Sequence, residues 1–160
     1  MILYIMRHGI AEHPIGKIDR DRALTPEGID IVTQVGAALA RKNIRPEVIL
    51  SSPYLRAIQT SDIIASELGY EYPVERDSRL TPNSNFNLLH EILIEYAAAQ
   101  SLMIVSHEPA VSEFASMLCP ENQTLYGFAP ASICSVLVES IPTIRSTLYW
   151  FSTAEEIIEG

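Results

Sequence analysis

Five apolar residues in succession, Ile2-Leu3-Tyr4-Ile5-Met6, stop abruptly at Arg7-His8-Gly9. An unbroken apolar run of strand length, without the alternation of a half-exposed strand, predicts a strand covered on both faces. Further strands are predicted at 47–50, 72–75 and 101–106. Helix-length segments lie between and after them, at about 26–42, 53–68, 84–99 and 109–118. Late in the chain, 132–139 and 146–151 predict two strands that pair as a hairpin or lie at an edge, and 155–160 predicts a short helix or a frayed end.

Strand-helix alternation implies right-handed crossovers and an α/β fold. The expected architecture is a three-layer sandwich: a mostly parallel central sheet with helices on both faces. Helix starts are marked at Thr25-Pro26-Glu27, Ser52-Pro53 and Glu108-Pro109, where a capping residue precedes a proline at the first helical position. Asn83, Ser84 and Asn85 supply a softer start for the helix at 84. No Pro/Gly/Ser-rich linker interrupts the chain, so residues 1–160 are expected to form one domain.

Composition narrows the function. A chain of 160 residues buries a core without disulfides or metals. The N-terminal apolar run is too short for a signal peptide and lacks basic residues before it, and the later apolar stretch around 133–138 is only strand-length. No membrane span and a cytoplasmic location are expected. Cys119 and Cys134 lie in apolar surroundings without CxxC spacing, which predicts free thiols in a reducing compartment.

A net charge of −9 argues against a nucleic-acid partner, which would need a basic face. The charge is uneven. Residues 1–60 carry eight Lys/Arg against six Asp/Glu, a balance of +2, and residues 61–160 carry three against fourteen, a balance of −11. A local cationic pocket on an acidic body focuses a small anion into one cleft while repelling bulk polyanions.

Ligands of parallel α/β sheets bind beyond the carboxyl ends of the strands. Three predicted strands are followed there by Arg7-His8-Gly9, by Ser51-Ser52-Pro53-Tyr54-Leu55-Arg56 and by Ser106-His107-Glu108-Pro109. Each charged pair could be a solvated strand exit, but four such residues converging on one edge describe an anion site that suits phosphate. Arginine forks neutralise charge spread over phosphoryl oxygens. A neutral imidazole can attack phosphorus if its other nitrogen is held as N–H by a backbone carbonyl. His8 is placed for this, with Gly9 giving the backbone room to curl back, and His107 can complete the cage as a protonated donor.

These motifs, RHG after the first strand, DRALTPEG before the first helix, SSPYLRAIQT and VSHEP, together resemble the histidine phosphatase superfamily, and the short chain resembles its SixA-type phosphohistidine phosphatases. RHG alone is a weak signal; the ordered set, spread over essentially the whole chain, is a strong one. The resemblance implies a phosphoglycerate mutase-like fold. It implies His8 as a nucleophile that becomes phosphorylated, with Arg7, Arg56 and His107 holding the phosphoryl group, and no metal or other cofactor. It also suggests a phosphohistidine-bearing protein as partner, such as a phosphotransfer domain of a two-component relay. Arg22, in DRALTPEG, belongs either at the pocket mouth or on the solvated surface, and Ser52 is a cap that can also touch phosphate.

One departure bears on substrate. Many superfamily members carry a carboxylic acid after the third strand to protonate an alkoxide leaving group, whereas the stretch here, Arg79 to Asn85, has none. An alkoxide leaves poorly without a proton donor, while a protonated imidazole leaves readily. A phosphohistidine substrate is therefore expected. The alternatives are a phosphomonoesterase acting on a small metabolite or a phosphoprotein ester, and a non-catalytic phosphoryl-binding module. Glu108 reads as a cap or helix-dipole partner, Tyr54 and Leu55 as packing, His13 as rim or surface, and His90 as structural or surface. Ser106-His107-Glu108 cannot be a relay, because adjacent strand residues point to opposite faces.

Overall fold

A computed structural model describes residues 1–122 and 127–160. Six strands form one sheet: β1 (Ile2–Arg7), β2 (Val48–Ser51), β3 (Glu75–Arg76), β4 (Ser101–Ser106), β5 (Ile133–Ser140) and β6 (Arg145–Ser152), in the order β3-β2-β4-β1-β5-β6. The four strands from β3 to β1 in that order run parallel. β5 pairs antiparallel with β1, and β6 antiparallel with β5 at the edge, so the late strands form both a hairpin and an edge.

The unbroken apolar runs follow from burial on two faces. Leu3 and Ile5 face one core layer and Tyr4 and Met6 the other. The first layer is covered by α3 (Phe86–Glu95) and α4 (Ala110–Leu118), the second by α1 (Pro26–Arg41), α2 (Leu55–Leu68) and α5 (Ala154–Glu159). Among the described residues, no helix is long and apolar enough to cross a membrane. Cys119 and Cys134 are buried free thiols, and burial pushes the Cys119 thiol up to about 11 and the Cys134 thiol higher still.

Thr25 caps α1 by accepting a hydrogen bond from Gly28 N–H at 3.0 Å, with Pro26 at the first helical position. Asn85 caps α3 by accepting from Leu88 N–H. Other expected boundaries move. The strand expected at 72–75 is reduced to Glu75–Arg76, both exposed at the sheet edge. The helix expected over 84–99 ends at Glu95. The helix expected from Pro53 begins at Leu55, because the Ser52 hydroxyl accepts Tyr54 N–H within the turn that precedes it. α4 starts at Ala110, and Pro109 is its capping residue rather than its first helical one.

Gly9 does more than let the chain turn. A Cβ there would lie 2.6 Å from Cγ2 of Val32 on α1, so glycine is what allows the helix to pack onto the loop that follows β1.

Candidate active site

The strands that deliver the site are neighbours, β2-β4-β1, and their pairing continues past their ends. His8 N–H donates to Ser106 O at 3.1 Å, and Ser52 N–H to Val105 O at 3.0 Å. This fixes the residues after β1, β2 and β4 side by side.

His8 is 7% exposed. Its Nδ1 lies 2.7 Å from Gly9 O, which as an acceptor places the ring proton on Nδ1 and leaves a lone pair on Nε2. Nε2 accepts a hydrogen bond from Arg56 Nε at 3.3 Å. Burial, together with the cations of Arg56, Arg7 and Arg22, pushes the His8 pKa down to about 4 against the pull of the Gly9 carbonyl. The ring is thus neutral at neutral pH.

The His107 ring packs edge-on to that of His8, with centroids 5.0 Å apart. Its Nε2 lies 2.7 Å from the Ser52 hydroxyl. That hydroxyl also accepts Tyr54 N–H at 3.2 Å, and which partner donates in its contact with His107 follows the imidazole tautomer. Nδ1 is buried without a partner among the described residues. Burial, aided by His8 and Arg56, lowers the His107 pKa to about 2, so the protonated donor expected from the sequence is a neutral imidazole here. A bound dianion would favour the charged form. Ser52 therefore enters the site through His107. Tyr54 packs its ring edge on His107 at 5.2 Å and lies under the Arg56 guanidinium at 5.3 Å.

Arg7 donates from Nη1 to Phe128 O at 2.7 Å, and its Nε is buried without a partner among the described residues. Desolvation lowers its pKa, while Glu108 opposes the shift. Arg56, 5% exposed, donates from Nη1 to Asp19 O at 2.8 Å and from Nη2 to the Asp19 carboxylate at 3.2 Å. Arg22 reaches the same carboxylate from Nη1 at 2.8 Å and holds Glu12 O through Nε, so Asp19 links it to Arg56.

Asp19 is the site residue that sequence reading missed. Its signal was the alternation Asp19-Arg20-Asp21-Arg22 just ahead of the helix cap at Thr25. Hydrogen bonds from Arg22 and Arg56 hold its carboxyl below the usual range, so it is a counter-ion rather than a proton donor. Asp77, just before the stretch that lacks the expected acid, is likewise held ionised, by Arg79.

Glu108, just ahead of the capping residue Pro109, accepts Ser112 N–H at 3.0 Å and the Ser112 hydroxyl at 2.7 Å and so ties itself to the first turn of α4. It also accepts Phe128 N–H at 3.0 Å, tying that turn to the residue whose carbonyl holds Arg7. The Ser106 hydroxyl donates to Leu80 O, away from any relay with His107. His13 is exposed, and His90 lies 2.6 Å from Pro142 O. Among the described residues, no group of three or more His, Cys, Asp and Glu is placed to hold a metal ion.

The arrangement combines a neutral imidazole whose unprotonated Nε2 faces the Arg56 guanidinium, the guanidinium of Arg7 on the same strand end, and a second imidazole in edge contact. It suits attack on phosphorus. The sequence profile of the Histidine phosphatase superfamily (branch 1) matches residues 3–84. The chain is 30% identical over 141 residues to the phosphohistidine phosphatase SixA of Escherichia coli strain K12, covering 87% of this chain and 86% of that one. It is similar to the solved structure of the protein histidine phosphatase SixA complexed with tungstate, with a TM-score of 0.86 at 29% identity over 96% of this chain and 97% of that one. A mycobacterial glucosyl-3-phosphoglycerate phosphatase shares the fold, with a TM-score of 0.75 at 17% identity over 95% of this chain and 98% of that one.

Proposed function

Because the chain belongs to the histidine phosphatase superfamily, branch 1, we propose that it hydrolyses the phosphorus-nitrogen bond of a phosphohistidine carried on a protein, through a covalent phospho-His8. The observation that carries the reading is the His8 ring, neutral and fixed by Gly9 O with Nε2 toward Arg56. The Nε2 lone pair forms a bond to phosphorus as the substrate's P–N bond breaks. Its electron pair departs with the substrate imidazole, which leaves as a neutral ring when its other nitrogen carries a proton. Arg7, Arg56 and His107 stabilise the oxygens that gain charge. Water then attacks phospho-His8, the second P–N bond breaks, and inorganic phosphate leaves with the surplus proton going to solvent.

Preference for phosphohistidine over an ester is supported by the carboxylates in and beside the site. Asp19 and Asp77 are both held ionised by arginines and offer no proton to an alkoxide. The likeness to phosphohistidine phosphatase SixA supports the same substrate class. A panel of a histidine-phosphorylated protein and phosphate monoesters, assayed with wild type and His8→Ala, tests the proposal. Turnover of phosphohistidine and an acid-labile phosphoenzyme, both lost in His8→Ala, are expected. A preference for esters, or full turnover by His8→Ala, refutes it.

A further inference from the structure

A cavity of about 430 Å³ opens beside the site and has no part in the chemistry above. Its walls are apolar, with Ile10, Ile31, Ala131 and Ile158 among them, and the exposed carboxylates Glu27 and Glu155 stand at its mouth. It lies on the same edge of the sheet as His8. Ile10 follows His8 by two residues, Ala131 N–H donates to His8 O at 3.0 Å, and Glu155 belongs to the turn of α5 that follows β6, which runs parallel to β1. The cavity therefore lies within the surface next to the one a phosphoryl group would approach to reach His8.

Among the described residues, neither Glu27 nor Glu155 forms an ion pair or a side-chain hydrogen bond. Two unpaired carboxylates rimming an apolar cavity complement a cation with an apolar neighbour. They lie next to a cleft of opposite sign, where Arg7, Arg22 and Arg56 gather. The pairing of signs would be of no use to a lone phosphate. It suits a surface that carries an anion and a cation a short distance apart.

We infer that this cavity is the docking subsite for the protein substrate, and that it takes an apolar side chain flanked by a lysine or arginine near the phosphohistidine. The inference rests on the phosphohistidine reading for the identity of the anion. The apolar side chain enters between Ile31 and Ile158, and the basic side chain lays its methylene stem on the rim and brings its charge to Glu27 and Glu155.

The test uses two synthetic phosphohistidine peptides of equal length, one with leucine and arginine beside the phosphohistidine and one with serine and glycine, together with phosphohistidine itself. Wild type is expected to favour the leucine-arginine peptide. The double reversal Glu27→Lys with Glu155→Lys is expected to lower that preference about tenfold, the fold-change expected from losing two exposed charge contacts. Equal kcat/KM for both peptides in wild type, or an unchanged ratio in the variant, overturns the inference. Hydrolysis of phosphohistidine itself reports on the catalytic reading alone. Fluorescence anisotropy with the unphosphorylated peptides separates the cavity from the chemistry: weaker binding of the leucine-arginine peptide by the variant supports the subsite, and equal binding by both proteins overturns it.

Discussion

Arg56 faces a choice of anions. Its guanidinium is almost wholly buried, and burying that charge without a counter-ion would be costly. Asp19 supplies one from a short 3-10 turn, with a carboxylate that is 50% exposed and shared with Arg22. On the proposed function, a phosphoryl group arriving at His8 would compete for the same fork and bring more charge, which would make Asp19 an internal competitor for Arg56. Removing its charge without its shape is expected to favour the external anion. Asp19→Asn should tighten inhibition by inorganic phosphate about threefold, a modest effect because the carboxylate is half in water. Product-inhibition constants measured for wild type and variant check this. A weaker phosphate complex in the variant would mean that Asp19 serves to position Arg56 instead.

At the scale of elements, the first turn of α4 and the segment entering β5 are joined by two side chains, Glu108 and Ser112. Glu108 accepts from Ser112 and from Phe128 N–H, the Ser112 hydroxyl accepts Gly127 N–H, and Phe128 O holds Arg7. Phe128 is itself buried against Phe151, ring centroids 5.1 Å apart, so the carbonyl has little freedom. Glu108→Ala strips acceptors from half-buried donors and should lower the unfolding free energy by about 2 kcal/mol. It should also lower kcat/KM, with Glu108→Gln recovering part of both, as read by denaturant unfolding and steady-state kinetics. An unchanged kcat/KM in Glu108→Ala would show that Arg7 does not depend on this link. β1, β2 and β4 were legible in the sequence because strands covered on two faces must be apolar throughout, and their ends point to His8 and His107, which follow β1 and β4 at once, to Arg7, the last residue of β1, and to Arg56 in the first turn of α2. β3 was not legible as drawn, since two exposed residues leave no apolar pattern. The start of α2 was misplaced because the Ser52 hydroxyl serves Tyr54 and His107 rather than a helix cap. The links of Asp19 to Arg56 and of Glu108 to Phe128 were hidden for a different reason: these partners lie 37 and 20 residues away, and the alternation from Asp19 to Arg22 shows the local pair but not the contact made by the fold.

Across the whole molecule, the buried histidine pair couples the site to stability. Both rings are neutral in the folded protein, with pKa values pushed down to about 4 for His8 and about 2 for His107, chiefly by burial. In the unfolded chain each returns to about 6.5. Between the two values the unfolded state binds protons that the folded state refuses, so unfolding free energy rises with pH. The stability tied to each ring is complete above about pH 6.5, and it is lost as pH falls toward the folded values. From pH 7 to pH 5.5 the two rings together should cost about 2 kcal/mol, before the carboxylates begin to titrate. Denaturant unfolding at the two pH values measures this directly, and His107→Asn should roughly halve the difference. Inorganic phosphate should reduce it as well. An anion held by Arg7 and Arg56 offers the rings a partner for their charged forms, raises their folded pKa values, and so removes part of the proton refusal that makes the empty site sensitive to acid. A wild-type protein equally stable at both pH values, with and without phosphate, would show that the rings are not buried neutral as a pair.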